Sequence, residues 1–170
     1  MQAWGDRRDP AGEAFWRFSL ALYARPGVAD ALIALQDRAG RDVNVVLFGL
    51  WIGARHGREL AAAELAAAEA AIIELGGVVA RLRALRRQLG DAVGADLQAL
   101  RRRLLPLELA AERRVQSRLA ASVADHPSAG PERDRRTAAA ANLALYLGAE
   151  AGSSEADILR RAVVALMRRA

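Results

Sequence analysis

The chain has 170 residues, is 53% apolar and 26% charged, and carries a formal net charge of +5 with no cysteine. This composition excludes an intrinsically disordered protein, disulfides and thiol catalysis. The length predicts a single domain over residues 1–170. Aromatic residues make up only 5% of the chain, while alanine and leucine dominate, which favours an all-α fold.

The first nine residues are mostly polar and are predicted to be flexible. They contain no apolar segment of the kind found in signal peptides. No apolar run reaches the roughly 20 residues that a membrane-spanning helix needs. We therefore expect a cytoplasmic protein that is not inserted into a membrane.

Two short helices are predicted at the start of the chain. Asp9 and Pro10 are typical of a helix start, and Pro26-Gly27 ends this helix and begins a second one that runs to Gly40. The turns between them are very short, which predicts that neighbouring helices pack against each other.

The most apolar stretch of the chain is predicted to form a short central helix that its neighbours surround. Nearly every position in residues 43–54 is apolar, which indicates a helix that is buried on all sides. Asp42 can cap its first turn, and Gly57 can end it after His56. Twelve residues give roughly 18 Å of helix, which is too short for a bilayer core of about 30 Å.

Residues 59–123 are predicted to form a long helical hairpin that packs against the central helix, with its turn at residues 90–94. Gly76-Gly77 predicts a kink or break in the first arm, and Pro106 predicts an interruption in the second. Apolar residues recur every three or four positions on both arms, as in a coiled-coil seam. The seam consists of Leu65, Ala68, Ile72, Leu75, Val79 and Leu82 on the first arm, and of Val93, Leu97, Leu100, Leu104 and Leu107 on the second.

The last part of the chain is predicted to contain an internal loop at residues 125–131, a helix at about 132–150 and a final helix. Ser154 and Asp157 approximate a capping box for the final helix. The expected architecture is therefore a compact all-α domain of six or seven helices.

Five side chains are candidates for contacting a ligand or a partner. Asn44 is the one polar side chain in the central helix, and a buried amide needs several hydrogen-bond partners, which either a neighbouring loop or a ligand supplies. Trp51 lies two turns further along nearly the same face, where core packing is the alternative role. The set comprises Asp42, Asn44, Trp51, Asn142 and Tyr146.

The excess positive charge lies in the hairpin, where ten arginines and four acidic residues between positions 81 and 119 give a net charge of +6. Such a surface is typical either of a site for phosphates or an acidic partner, or of a solvated face that keeps the hairpin soluble. The hairpin has no base-stacking aromatic residues, so sequence-specific nucleic-acid recognition is not expected. The candidate residues for an anionic partner are Arg86, Arg87, Arg101, Arg102, Arg103, Arg113 and Arg114.

Motifs for catalysis are missing from the sequence. Neither His56 nor His126 belongs to a metal-binding motif, and the chain has no glycine-rich phosphate loop and no nucleophile elbow. His56 ends the central helix, where the helix dipole favours its charged form. Glu108 and Glu112, with arginines beside them, are more typical of salt bridges than of a shared proton or cation. The sequence therefore indicates no catalytic residue, no metal site and no cofactor.

Several runs carry a resemblance to known sequences: Phe15-Trp16-Arg17-Phe18-Ser19-Leu20, Asp42-Val43-Asn44, Leu82-Arg83-Ala84-Leu85-Arg86, Glu108-Leu109-Ala110-Ala111-Glu112 and Asn142-Leu143-Ala144-Leu145-Tyr146. In these runs the chain resembles an uncharacterised family of short proteobacterial helical proteins, a domain of unknown function. The resemblance spans roughly residues 15–147 and implies a fold class and a bacterial source, but no activity.

Three hypotheses of function follow. The leading one is a non-enzymatic bacterial interaction or adaptor protein that binds another protein or a second copy of itself, because the hairpin combines apolar seams with localised charge. The second is a nucleic-acid-associated or ribosome-associated protein that uses the arginine-rich hairpin. The third is a small-molecule-binding protein or enzyme with a pocket near Asn44 and Asn142.

Overall fold

A computed structural model of the chain describes residues 9–90, 94–122 and 134–168. Within these ranges the fold is all-α, as predicted, with seven α-helices, one 3₁₀ turn and no strand. Most of the hairpin turn and the predicted loop at residues 125–131, with His126, lie outside the described residues, as do the predicted flexible residues 1–8. The helices are α1 (Pro10–Tyr23), α2 (Val28–Ala39), α3 (Val43–His56), α4 (Ala62–Gln88), α5 (Ala95–Ser122), α6 (Arg135–Leu147) and α7 (Ser154–Met167), and the 3₁₀ turn is Gly148–Gly152.

The described helices differ from membrane-spanning helices in length or in apolarity. Among the described residues, no single helix combines the length and the apolarity that a bilayer span requires. Helices α1 and α2 reach these values only when taken together, and the chain bends by 103° between them.

The central helix α3 is confirmed in its position and both of its ends. Every residue from Val43 to Ala54 is buried. The carboxylate of Asp42 accepts a hydrogen bond from the Asn44 amide at 2.8 Å, and Gly57 ends the helix in a left-handed conformation with φ of 62°. Buried apolar side chains from the six other described α-helices join this helix in one cluster.

Helix α3 packs closely against α6 because two glycines face that helix. A Cβ atom on Gly53 would lie 2.2 Å from the backbone nitrogen of Ala139, which leaves no room for a side chain. One turn earlier, a Cβ atom on Gly49 would lie 3.4 Å from the Cβ atom of Asn142. The two backbones are therefore in contact at Gly53, and the absence of a side chain there allows this approach.

The predicted hairpin is confirmed, and neither arm is broken at the predicted positions. Helix α4 continues through Gly76-Gly77, because its packing against α5 outweighs a glycine cost of about 1 kcal/mol per residue. Helix α5 continues through Pro106, which is exposed, so the backbone carbonyl of Arg102 that loses its helical partner can be hydrated. The hairpin meets α3 through α5, whose Val115 and Leu119 are fully buried.

The start of the last helix differs from the prediction by one residue. The capping side chain is that of Ser153, which accepts a hydrogen bond from the Ala156 amide at 3.2 Å. Ser154 is the first residue of α7 rather than its cap. The cap therefore lies one residue closer to the N-terminus than predicted, with the same spacing of three residues.

Candidate functional site

Asn142 is buried at the junction of three segments. Its side-chain oxygen accepts a hydrogen bond from the Leu60 amide at 2.7 Å. Its side-chain nitrogen donates to the carbonyl oxygens of Gly49 at 3.0 Å and Arg58 at 2.9 Å. The amide therefore holds the connection between α3 and α4 against α3 and α6, and it uses both of its polar atoms to do so.

Asn44 belongs to a separate row of buried polar side chains. Its side-chain oxygen accepts a hydrogen bond from Gln116 Nε2 at 3.1 Å, and Gln116 Oε1 in turn accepts one from the Ser19 hydroxyl at 3.0 Å. The row joins α3, α5 and α1. Sequence analysis did not identify Ser19 or Gln116. The spacing of Ser19 from the buried Phe15 and Leu22 is the signal that points to its burial.

Asp42 and Tyr146, which are distant in sequence, meet in the structure. The Asp42 amide donates a hydrogen bond to the Tyr146 hydroxyl oxygen at 3.0 Å. Burial raises the pKa of Tyr146 to about 12, so this hydroxyl stays protonated at neutral pH. The guanidinium of Arg41 lies over the Tyr146 ring at 5.5 Å and donates to the Leu147 carbonyl at 2.8 Å. Asn44 and Asn142 thus bond to different partners, while Asp42 and Tyr146 are hydrogen-bonded to each other.

Trp51 packs inside the core. It is 4% exposed and stacks on Phe15 with ring centroids 5.0 Å apart. The ring of His56 meets it edge-on at 5.2 Å. The contacts of Trp51 are those of a packed aromatic cluster.

The protonation of His56 differs from the sequence-based expectation. Burial and the positive charges of Arg55, Arg58 and Arg135 lower the pKa of His56 below its ordinary value. Desolvation and three neighbouring cations therefore outweigh the favourable effect of the helix dipole on the charged form.

The stability of the protein is expected to depend on pH through His56. Just below the ordinary histidine pKa of about 6.5, the unfolded state binds more protons than the folded state. The free energy of unfolding is therefore expected to decrease as the pH falls from about 6.5 toward the lowered folded-state pKa. In His56→Gln this decrease should be smaller in urea titrations over that range. An NMR titration that places the folded-state pKa of His56 at or above 6.5 would contradict the prediction.

An ion-pair cluster crosses the hairpin. Arg83 on α4 donates to Glu108 at 3.3 Å and to Glu112 at 2.5 Å, and its third nitrogen donates to Gln36 on α2. Arg86 pairs with the same Glu108. Salt bridging by the two glutamates was expected beside Arg113 and Arg114, but the partners lie on α4, because this side of α5 faces the other arm.

The two glutamates of this cluster differ in electrostatics. Burial acts to raise the pKa of Glu108, but the hydrogen bonds and charges of Arg86 and Arg83 outweigh it and leave this pKa lowered. Burial dominates at Glu112 and raises its pKa despite the opposing effect of Arg83. Glu108 is therefore held as the more firmly ionised of the two.

Arg86, Arg87 and Arg113, which were proposed for an anionic partner, make contacts within the chain. Arg86 is engaged by Glu108, as described above. Arg87 lies 3.5 Å from the Asp37 carboxylate in an exposed pair. Arg113 pairs with Glu13 on α1 and lies 6.0 Å from the Trp16 ring. Exposed pairs such as those of Arg87 and Arg113 are weak, so these two cations are only partly neutralised.

The other predicted arginines, Arg101, Arg102, Arg103 and Arg114, are exposed on α5. Consecutive helical residues are separated by about 100° around the axis, so the run from Arg101 to Arg103 spreads over three sides of the helix. This run therefore does not form a single positive face.

The hairpin exposes a set of apolar side chains, which we call the outer hairpin face. It consists of Val78 and Leu85 on α4 and of Leu100 and Leu107 on α5, which are 42%, 43%, 45% and 58% exposed. Each pair is separated by seven residues, so its two members lie on one side of their helix, two turns apart. Leu100 and Leu107 were predicted to lie in the hairpin seam, but their exposure shows that much of their surface faces outward.

One contact shows that the two pairs lie on the same side of the hairpin. Arg118 Nη1 donates to the Ala71 carbonyl at 3.4 Å, between α5 and α4. Arg118 follows Leu107 and Leu100 by 11 and 18 residues, which is roughly three and five helical turns. Ala71 precedes Val78 by seven residues, or two turns. The residues linked by this hydrogen bond therefore share their sides of α5 and α4 with the outer hairpin face.

The opposite side of the hairpin faces the rest of the protein. Arg83, which reaches Gln36 on α2, precedes Leu85 by two residues and therefore points about 200° away from it. Gln116, which reaches Asn44, marks the corresponding side of α5. The outer hairpin face is thus directed away from the helices that cover the opposite side.

Comparison with known protein families matches residues 14–119, more than half of the chain, to the family described as "Protein of unknown function (DUF2390)". No curated protein and no solved structure matches the chain significantly. The matched span contains the polar row of Asn44, the ion-pair cluster and the whole outer hairpin face. The expectation of an uncharacterised domain family is confirmed, and the chain belongs to the DUF2390 family.

Proposed function

We propose that the chain is a non-enzymatic interaction protein whose outer hairpin face binds an acidic amphipathic helix of another protein. The observation that carries the proposal is the exposure of Val78, Leu85, Leu100 and Leu107 along one side of two adjacent helices. Apolar side chains grouped on an exposed surface are typical of interaction sites. Two adjacent rows of such side chains offer an apolar surface to the apolar side of a third helix.

The charges beside the outer hairpin face favour an acidic partner. At helical spacings of three, four or seven residues from the apolar side chains lie three exposed arginines and two exposed acidic residues, a net charge of +1. A partner helix with acidic residues beside its apolar side would place opposite charges together. The arginines are Arg81, Arg103 and Arg114, and the acidic residues are Glu74 and Asp96.

The same charges argue against a second copy of the chain as the occupant. Two outer hairpin faces in contact would bring two surfaces of charge +1 together, which opposes association. The nucleic-acid hypothesis has less support, because Arg101, Arg102 and Arg103 point in different directions and no aromatic side chain accompanies them.

Glutamate substitutions on the outer hairpin face test the proposal. In the double variant Leu100→Glu and Leu107→Glu, the affinity for a partner purified with the wild-type chain is expected to fall by about tenfold or more, since charge replaces apolar contact and repels acidic residues. Binding by the wild-type chain should also weaken as salt concentration rises. Both quantities can be measured by titration calorimetry with the purified partner.

The matched control is Leu145→Glu, which changes a leucine of similar exposure, 41%, on α6. This variant is expected to bind like the wild-type chain. All variants should unfold within about 0.5 kcal/mol of the wild type for each substitution, because the sites are exposed. Unchanged binding by the double variant, or equal loss in the control, would refute the proposed surface.

A further inference from the structure

A cleft of about 350 Å³ lies beside the start of α3, on the side of the hairpin that faces the rest of the protein. Its walls are the end of α2, the Arg41-Asp42 connection, the first turn of α3 and one side of α4. This volume is in the lower part of the range for sites that bind small molecules. The cleft is distinct from the outer hairpin face and does not depend on the function proposed above.

Most of the charged side chains that line the cleft are cationic. Arg41, Arg83 and Arg87 line it, against a single lining carboxylate, that of Asp42. Asp42 is engaged as the cap of α3, where its carboxylate accepts the Asn44 amide at 2.8 Å. Arg83 is balanced from behind by the glutamates of the ion-pair cluster. Arg87 lies 3.5 Å from the carboxylate of Asp37, which is not among the lining residues, so Arg41 is the lining arginine without a carboxylate partner in the described ranges.

Arg41 is the most informative of these cations. Its Nη2 donates to the Leu147 carbonyl and its guanidinium lies over the Tyr146 ring, but no carboxylate in the described ranges pairs with it. Among the described residues, the Nε atom of Arg41 is the one buried side-chain nitrogen or oxygen without a hydrogen-bond partner. A partly buried cation without a counter-ion is costly, and an anion in the cleft would reduce that cost.

Two further features favour an anion at this position. Helix α3 has 14 residues, and its first turn, Val43 and Asn44, lines the cleft, so the positive end of the helix dipole is directed there. Gly76 and Ala80 on α4 keep the opposite wall low. A Cβ atom on Gly76 would meet only Asp42 Oδ2, at 3.5 Å, so a larger side chain at this position would fit but would occupy the cleft.

We infer that this cleft binds a small molecule through an oxyanion, a carboxylate or a phosphate, held between Arg41, Arg87 and the first turn of α3. The guanidinium groups supply paired N–H donors of the kind that fit both oxyanions. The remaining volume of the cleft accommodates the body of the ligand against the small residues of α4.

Titration of the isotopically labelled protein with inorganic phosphate and, separately, with citrate tests the inference by NMR. We expect saturable shifts at the amides of Val43 and Asn44 with at least one probe, and the stronger response distinguishes phosphate from carboxylate. The dissociation constant should rise about tenfold in Arg41→Gln and in Arg87→Gln. Gly76→Leu should abolish binding by filling the cleft.

The control is Arg102→Gln, which removes an exposed arginine on α5 outside the cleft and should leave the dissociation constant unchanged. Arg87→Gln keeps the test valid if Arg41→Gln disturbs folding, because Arg87 is exposed. The inference is overturned if neither probe gives saturable shifts at the start of α3, if Arg87→Gln binds like the wild type, or if Arg102→Gln weakens binding equally.

Discussion

Gly53→Ala is expected to destabilise the protein by about 3 kcal/mol or more, or to prevent folding. The added methyl group would lie 2.2 Å from the Ala139 nitrogen and 2.3 Å from the Ala139 Cα atom. Both are backbone atoms, so no side-chain rotation can relieve the overlap and α3 and α6 must move apart. Urea denaturation followed by circular dichroism measures the change.

Two glycine substitutions provide matched controls for Gly53→Ala. Gly49→Ala adds the same methyl group one turn earlier on the same side of α3, where the nearest atom lies at 3.4 Å. We expect the stability of this variant to be close to that of the wild type. The gain of about 1 kcal/mol when alanine replaces glycine in a helix offsets the cost of the close contact at 3.4 Å. Gly152→Ala adds a methyl group into open space. A Gly53→Ala variant as stable as either control would contradict the close approach of α3 and α6.

Asn142→Leu is expected to lower the free energy of unfolding by about 4 kcal/mol. The leucine has a similar size but removes three hydrogen bonds and leaves the amide of Leu60 and the carbonyl of Arg58 without their partner. Unpaired buried polar groups cost about 1–3 kcal/mol each. Hydrogen exchange at the Leu60 amide should accelerate in the variant, which locates the effect in the connection between α3 and α4.

Leu145→Ala is the control for this second prediction, because it shortens an exposed side chain on the same helix. It should change stability by no more than about 0.5 kcal/mol. If Asn142→Leu unfolds like the control, Asn142 does not hold the connection, and a role for this residue in contacting a ligand becomes the better explanation.

The helices could be predicted from the sequence wherever their ends are marked by local chemistry. Asp42 and Gly57 delimit α3 because a capping carboxylate and a left-handed glycine act within one turn of the helix. The partner of α3 could not be predicted in this way, since α6 is separated from it by some 80 residues of chain. The spacing of Gly49 and Gly53 indicates a close approach but does not identify which helix approaches.

The candidate site could be predicted only in part, for a related reason. A spacing of three and four residues identifies Leu100 and Leu107 as one stripe of α5 but does not show how far the neighbouring helices extend along it. The charge count located the arginines on the hairpin, but Arg83 and Arg86 are turned toward Glu108, which depends on how the two arms are rotated. Contacts between arms are set by tertiary packing rather than by local pattern.

Site-specific photo-crosslinking tests the proposed outer hairpin face most directly. A photoreactive phenylalanine analogue would replace Leu107, or Leu145 as the control, in cells that express the chain from its own gene, and mass spectrometry would identify the attached segments. We predict that position 107, but not position 145, crosslinks to an acidic amphipathic helix of another protein. The account would be contradicted if position 107 crosslinks to a second copy of the chain or to nucleic acid. It would also be contradicted if positions 107 and 145 give the same crosslinks.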